Sequence, residues 1–214
     1  MVKLIPSKEE MRAALEERHG KDLQQKLSNT TVAICGLGGL GSNIAISLAR
    51  AGVGKLILVD FDRVDITNLH RQQYTAKQIG MYKTDALKEN LQAILPYIEI
   101  EPHTVRITED NLTDLLQGAD IICEAFDGAE AKAMLTNTVL ETMPKKYLVA
   151  ASGMAGLRSA NSIQTRKITN HFYLCGDGVS DVADTIGLFS SRVMLCAAHQ
   201  AHTVLRIIAE KFEV

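Results

Sequence analysis

The sequence predicts an α/β protein, a mainly parallel β-sheet with helices on both faces and a small antiparallel part towards the C-terminus. Three observations predict it. Short apolar runs, at 32–35, 56–59 and 121–123 among others, alternate with longer segments of helical period. That alternation is the pattern of a parallel sheet covered on both sides. A glycine cluster, Gly36, Gly38, Gly39 and Gly41, separates the first run from an alanine-rich helical segment. The second run ends in an acid, Asp60.

The elements follow in order. Ser7 with Glu10 three residues on is a capping-box pattern, and Met11, Leu15, Leu23 and Leu27 mark a stripe for a helix over 7–27, broken at Gly20. Residues 32–35 form the first strand. A helix over 39–50 packs through Ile44, Leu48, Ala45 and Ala49 and stops at Gly52 and Gly54. A strand over 56–61 leads into a polar loop at 62–82. Helices over 83–95, 108–116 and 129–143 then alternate with strands over 98–105, 120–125 and 147–151. The end differs, because 157–164 and 168–174 have strand character with no long helix between them. A Gly/Asp-rich loop at 175–185 precedes a last helix over 187–212.

The bulk properties narrow the function. The chain has 214 residues, 46% hydrophobic and 22% charged, with a formal net charge of −2. One domain is expected at this length. A chain so near neutral carries no footprint for general nucleic-acid or membrane-surface binding. No apolar run is long enough to span a bilayer. The N-terminal stretch is charged and helical, not signal-like, and Cys35, Cys123, Cys175 and Cys196 contain no C-x-x-C, so reduced thiols in the cytoplasm are expected.

Gly36-Leu37-Gly38-Gly39-Leu40-Gly41 satisfies G-x-G-x-x-G between a strand and a helix. At such a turn a phosphate approaches free backbone N–H groups and the positive end of the helix dipole. Asp60, closing the next strand, is placed to accept ribose hydroxyls. The unit is Rossmann-like and binds a nucleotide. The glycines and Asp60 leave open which one.

The stretch that follows decides more. GLGGLGS, then AGVGKLILVDFDRVDITNLHRQ, then Lys83 and Asp127 resemble the ThiF/MoeB/HesA group, bacterial relatives of the ubiquitin-activating enzymes. The resemblance covers most of the chain and implies one adenylyltransferase domain over 1–214. It implies an enzyme that uses ATP and Mg²⁺ to adenylate the C-terminal glycine of a small ubiquitin-like sulfur-carrier protein. The chain's shortness and its ALEERHG opening resemble the compact members of thiamine thiazole biosynthesis.

The residues fit that chemistry. A C-terminal carboxylate, of pKa about 3.3–3.7, is already ionised at pH 7 and needs no general base. The difficulty is bringing one anion onto a triphosphate, so the site must supply cations and a metal in place. Arg71 and Lys83 flank the loop after the second strand, Asn68 and Gln72 add neutral hydrogen-bonding groups, and Asp127 follows the fourth strand. One carboxylate with phosphate oxygens and waters is a usual Mg²⁺ arrangement. Asp127 could instead cap the helix beginning near 129. The resemblance implies that Asp60 holds the ribose, that Asn68, Arg71 and Lys83 hold phosphates, and that Asp127 holds Mg²⁺. Gly39 would approach the nucleotide closely and Asp62 lies near the site. The family also lends an N-terminal arginine across a two-fold homodimer; Arg12 matches the spacing and Arg18 is the other candidate.

The chain departs from the family in two places. Many relatives hold zinc with two C-x-x-C pairs, whereas Cys175 and Cys196 stand alone, so no zinc is expected. A thiol-transfer cysteine found in some relatives falls here near Ala183. Cys175, in the Gly/Asp-rich stretch, reads as the exposed cysteine. Asp177, Asp181 and Asp184 read as shaping a loop, and His199 and His202 as structural or surface residues. Two other readings stay open: an enzyme like the threonylcarbamoyl-adenosine tRNA dehydratases, which share a related block, and an NAD-dependent oxidoreductase. NLHRQ and the lack of a basic patch lean against the first. Nothing in 68–72 serves hydride transfer.

Overall fold

A computed structural model of the chain describes residues 5–214. Helix α1 (Lys8–His19) opens with the capping box: Glu10 N–H donates to Ser7 Oγ at 3.1 Å and Ser7 N–H to Glu10 Oε2 at 2.7 Å. It buries no residue of its own. Gly20, at φ 82°, separates it from α2 (Lys21–Asn29), the break expected at that glycine.

One sheet organises the rest. Its strands are β1 (Thr31–Cys35), β2 (Lys55–Val59), β3 (Glu99–His103), β4 (Ile121–Glu124), β5 (Tyr147–Ala151), β6 (Gln164–Lys167) and β7 (Phe172–Gly176), in the order β3-β2-β1-β4-β5-β7-β6. Every pair is parallel except β6 with β7. The connecting helices are α3 (Gly39–Ala51), α4 (Lys83–Ile94), α5 (Glu109–Leu116), α6 (Ala129–Thr142) and α7 (Ser190–Ile208).

Strand side chains alternate between faces, and the two faces carry separate cores. Val32, Ile34, Leu56, Leu58 and Cys123 join Leu27 of α2, Ile44 and Leu48 of α3, Leu87 and Leu91 of α4, and Val204 of α7. Ala33, Cys35, Ile57, Val59 and Ile122 join Leu112 and Leu116 of α5 and Leu135 and Val139 of α6. Helices therefore cover both faces, as expected. The register brings Cys35 opposite Val59 on one side and Glu124 on the other, so β1, β2 and β4 end level. The strand order reverses direction between β1 and β4, which is where ligands bind in such sheets.

The antiparallel part differs in detail from its sequence reading. β7 pairs in parallel with β5, so the antiparallel pair extends the main sheet. Residues 157–163 are not a strand; they form turns and a short 3₁₀ segment, Ala160–Ser162, and the strand begins at Gln164. The reason lies in α7. The Arg192 guanidinium donates to Arg158 O and Ser159 O, both at 2.9 Å, and takes carbonyls that a ladder would use. Asn161 N–H donates to Ser159 Oγ at 3.3 Å and holds the turn from inside. The second strand runs over 172–176, not 168–174, because Ile168 and Thr169 N–H both donate to Phe172 O and make the hairpin turn there. Its shift towards the C-terminus carries Cys175 into the sheet. Cys175 is fully buried beneath α7, contrary to the exposed position expected of it. Burial pushes its thiol up.

Candidate nucleotide site

The turn after β1 is shaped by backbone crowding. Gly36 adopts φ +90°, and a Cβ there would meet Ala125 O at 2.8 Å. A Cβ at Gly41 would lie 1.8 Å from Gly36 O, so α3 starts in contact with the turn that precedes it. α3 has Gly38 as its N-cap and no side-chain cap, which leaves its first N–H groups free for an anion.

Asp60 follows β2 and is nearly buried. One oxygen accepts Leu37 N–H at 2.6 Å and the other Asp62 N–H at 2.8 Å. The carboxylate therefore ties the glycine turn to the loop after β2, and a carboxylate's remaining lone pairs stay available. Tyr74 Oη donates to Leu37 O at 2.7 Å and holds the same turn from below. Burial, with Asp60 and Asp62 nearby, pushes its phenol up, so it stays a donor.

The loop from 60 to 83 closes on itself. Lys83, first residue of α4, donates its backbone N–H to Asp62 O at 2.9 Å. Its ammonium is nearly buried, 2.9 Å from Asp62 Oδ2 and 3.9 Å from Asp60 Oδ2. The NLHRQ turn is docked on α3: Gln73 N–H donates to Ser42 Oγ at 3.1 Å, Gln73 Nε2 to Asn43 Oδ1 at 2.7 Å, and Asn43 Nδ2 to Arg71 O at 3.3 Å. Arg71 and Gln72 then face the glycine turn. An ideal Cβ at Gly39 would lie 3.5 Å from Arg71 Cγ, and one at Gly38 would lie 3.7 Å from Gln72 Nε2. Gln72 is 7% exposed, and its Oε1 has no partner among the described residues.

These elements enclose a cleft of about 260 Å³. Gly36, Gly38, Gly39, Asp60, Asp62, Arg71, Gln72, Lys83 and Asp127 all line it, so most of the residues singled out in the sequence meet there. Gly41 stands behind the turn. Asn68 is elsewhere: its Oδ1 accepts Asp65 N–H at 3.1 Å and caps the 3₁₀ turn Ile66–Asn68, outside the cleft wall. Arg12 is engaged on the outer helices, with Glu16 at 2.8 Å and Gln25 at 2.7 Å, and lines no part of its own chain's cleft. Asp127 does not cap α6. Gly128 is the N-cap and no side chain caps that helix. Asp127 is exposed, lines the cleft, and makes no side-chain hydrogen bond among the described residues.

Sequence reasoning missed the apolar half of the cleft. Phe61, Ile107, Phe126 and Ala131 line it, with Arg106 Cζ 3.9 Å from the Phe61 ring centroid. These residues follow β2, β3 and β4, so the rule that ligands sit past the carboxyl ends of strands was the available signal. Leu188 and Val193 come from the far end of the chain, with no local signal.

The charged lining balances: Arg71, Lys83 and Arg106 against Asp60, Asp62 and Asp127. Lys83 is already partnered by Asp62. A polyphosphate entering this cleft meets little net positive charge unless a cation comes with it. Asp127, exposed and without a side-chain partner among the described residues, could hold a divalent cation shared with phosphate oxygens.

The description "ThiF family" matches residues 11–213. The adenylyltransferase and sulfurtransferase MOCS3 of Culex quinquefasciatus is 36% identical over 132 residues, 61% of this chain and 30% of that protein. The sulfur carrier protein adenylyltransferase of Thermus thermophilus is 33% identical over 122 residues, 56% of this chain and 45% of that protein. The chain thus spans less than half the length of these curated relatives. In fold it is similar to the E. coli tRNA N6-threonylcarbamoyladenosine dehydratase TcdA in complex with ATP, at TM-score 0.85 and 20% identity, covering 97% of this chain and 98% of that one.

Proposed function

The chain belongs to the ThiF family, and on that premise we propose that it is an ATP-dependent adenylyltransferase. Its substrate in this reading is the C-terminal glycine carboxylate of a small ubiquitin-like sulfur-carrier protein, and its pathway is thiamine thiazole biosynthesis. The observation that carries the reading is the cleft itself. The uncapped N-terminus of α3, Arg71, Lys83 and the Asp127 carboxylate line it beside an apolar wall of Phe61 and Phe126, which supports a nucleotide in that place.

The carboxylate oxygen attacks the α-phosphorus of ATP. A carboxyl–phosphorus bond forms, the bond to the β-phosphate oxygen breaks, and pyrophosphate leaves with that electron pair. The product is an acyl-adenylate. No proton moves in the step, so the protein's task is to position and to neutralise charge. The N–H groups at the start of α3 receive phosphate oxygens, Asp60 receives the ribose, and the Phe61–Phe126 side receives adenine. Arg71 and Lys83 lie against the leaving phosphates. Lys83 exchanges its Asp62 partner for a phosphate oxygen, which keeps a nearly buried ammonium paired throughout. Asp127 would hold Mg²⁺, whose chemistry when bound is to offset the negative charge of the phosphates. In an assembly of two copies, Arg12 of each would reach the other's site.

The reading is tested by ATP–pyrophosphate exchange with a purified carrier ending in Gly-Gly. Exchange that requires the carrier, and falls at least about a hundredfold in Arg71→Ala as for other donors to transition-state charge, is the expected result. No exchange with any Gly-Gly-ended carrier tested, together with ATP turnover on modified tRNA, would overturn it.

A further inference from the structure

The last residue of β4, Glu124, is 1% exposed, yet both of its oxygens are engaged. Oε1 accepts Phe126 N–H at 2.7 Å and Lys132 Nζ at 3.0 Å, and Oε2 accepts Lys132 Nζ at 2.9 Å. Lys132, in the first turns of α6, also donates to Phe126 O at 2.9 Å. The pair therefore grips the amide hydrogen and the carbonyl of the same residue, Phe126. A third hold comes from α7, where buried Gln200 donates Nε2 to Glu124 O at 2.9 Å and to Val149 O at 3.1 Å. The residue after Phe126 is Asp127, whose own side chain makes no hydrogen bond among the described residues and lines the cleft.

An ion pair whose carboxylate is buried, with the ammonium 22% exposed, is a weak route to stability, because desolvation of the carboxylate offsets much of the attraction. Helix α6 is already docked through Leu135 and Val139. The hydrogen bonds of this pair converge instead on the two peptide units that flank Phe126, the second of which leads into Asp127. We propose that Glu124 and Lys132 are positioning residues, which fix the Phe126–Asp127 turn so that the Asp127 carboxylate meets a divalent cation on the bound phosphates. The pair acts as the outer partners of metal ligands do, holding a ligand in place where it would otherwise sample several orientations.

The proposal rests on the adenylyltransferase reading only for the phosphates beside Asp127. Its test needs no carrier and no turnover. The full chain is titrated with Mn²⁺ at saturating ATP, followed by electron paramagnetic resonance. AMP affinity is measured separately without metal. Lys132→Met leaves Glu124 buried and unpaired and can fail to fold, so the double variant Glu124→Gln/Lys132→Met, neutral and close in volume, accompanies it. The expected result is a loss of Mn²⁺ affinity of at least about tenfold in the double variant, metal-free AMP affinity within about twofold of the parent, and recovery in Lys132→Arg. A folded double variant with unchanged Mn²⁺ affinity overturns the proposal. So does equal loss of AMP and Mn²⁺ affinity, which marks general damage. A parent chain that binds ATP and Mn²⁺ but shows no carrier-dependent exchange sinks the carrier reading alone, and the same titration still decides the pair. A parent chain that binds no nucleotide sinks both.

Discussion

Charge pairs at single residues set both the site and its frame. The nearly buried Lys83 ammonium pairs with the half-exposed Asp62 carboxylate, where solvent lowers the cost of parting them. Asp177 and Arg192 are the opposite case, with side chains only 2% and 5% exposed and 2.6 Å apart. Burial alone would raise the Asp177 carboxyl, but N–H and O–H donors from Ser180, the Val179 N–H and Arg192 outweigh it and bring it down to about 2. The pair ties the loop after β7 to the start of α7 and to the carbonyls at 158 and 159. Its partner Arg192 adjoins Val193, which lines the cleft. Asp177→Ala leaves a buried guanidinium unpaired and is expected to cost about 3–5 kcal/mol, read from urea unfolding at pH 7. The folded carboxyl lies below its unfolded value of about 3.9. Its contribution is therefore complete above about pH 4 and is lost as pH falls through about 2. The gap between variant and parent should narrow over that window and nowhere above it. A gap independent of pH across the window would contradict the pairing.

At the scale of elements, β1, the glycine turn, α3 and β2 form one contiguous unit, the proposed anion site. Gly41→Ala places a Cβ 1.8 Å from Gly36 O, so the helix start must move off the turn. The expected outcome is overpacking of about 1–3 kcal/mol by thermal unfolding, and a larger loss in ATP affinity by calorimetry, since the displaced N–H groups are the proposed phosphate donors. Full ATP affinity in that variant would contradict the assigned geometry. This unit was legible in the sequence because its causes are local: apolar runs of strand length, glycines where a Cβ cannot fit, and an acid ending the second strand. The helix starts at Ser7 and Thr108 were legible for the same reason, each being a capping pattern within four residues. The segment at 157–163 was misread because its cause is remote. Leu157 and Ile163 suggest a strand, while the carbonyls between them are claimed by Arg192, some thirty residues later in the chain. Cys175 was misplaced because the hairpin turn at Phe172 sets its register, and local composition does not. Arg71, Gln72, Lys83 and Asp127 were found as residues, but Ser42 and Asn43, which dock the Arg71 turn, became visible only in contact.

The whole molecule is a sheet with two cores and a cleft at the carboxyl ends of its central strands. Helices α2, α3, α4 and α7 share one core and α5 and α6 the other, and the cleft opens where β1, β2 and β4 end together. Residues from 36 to 193 line it, so it exists only in the complete fold. Arg12 stands away from that cleft in its own chain, paired with Glu16 and Gln25, so the role proposed for it requires a second copy. Among the described residues no helix is long and apolar enough to cross a membrane. The central claim is that a carrier carboxylate attacks the α-phosphate here, and isotope transfer reads that bond directly. A carrier with its C-terminal carboxylate labelled with ¹⁸O is incubated with ATP, Mg²⁺ and the protein. The adduct is then released at its carbonyl with hydroxylamine, and the AMP is analysed by mass spectrometry. AMP carrying one ¹⁸O atom from the carrier is the expected result. AMP formed without label, with all ¹⁸O still on the carrier, would contradict it.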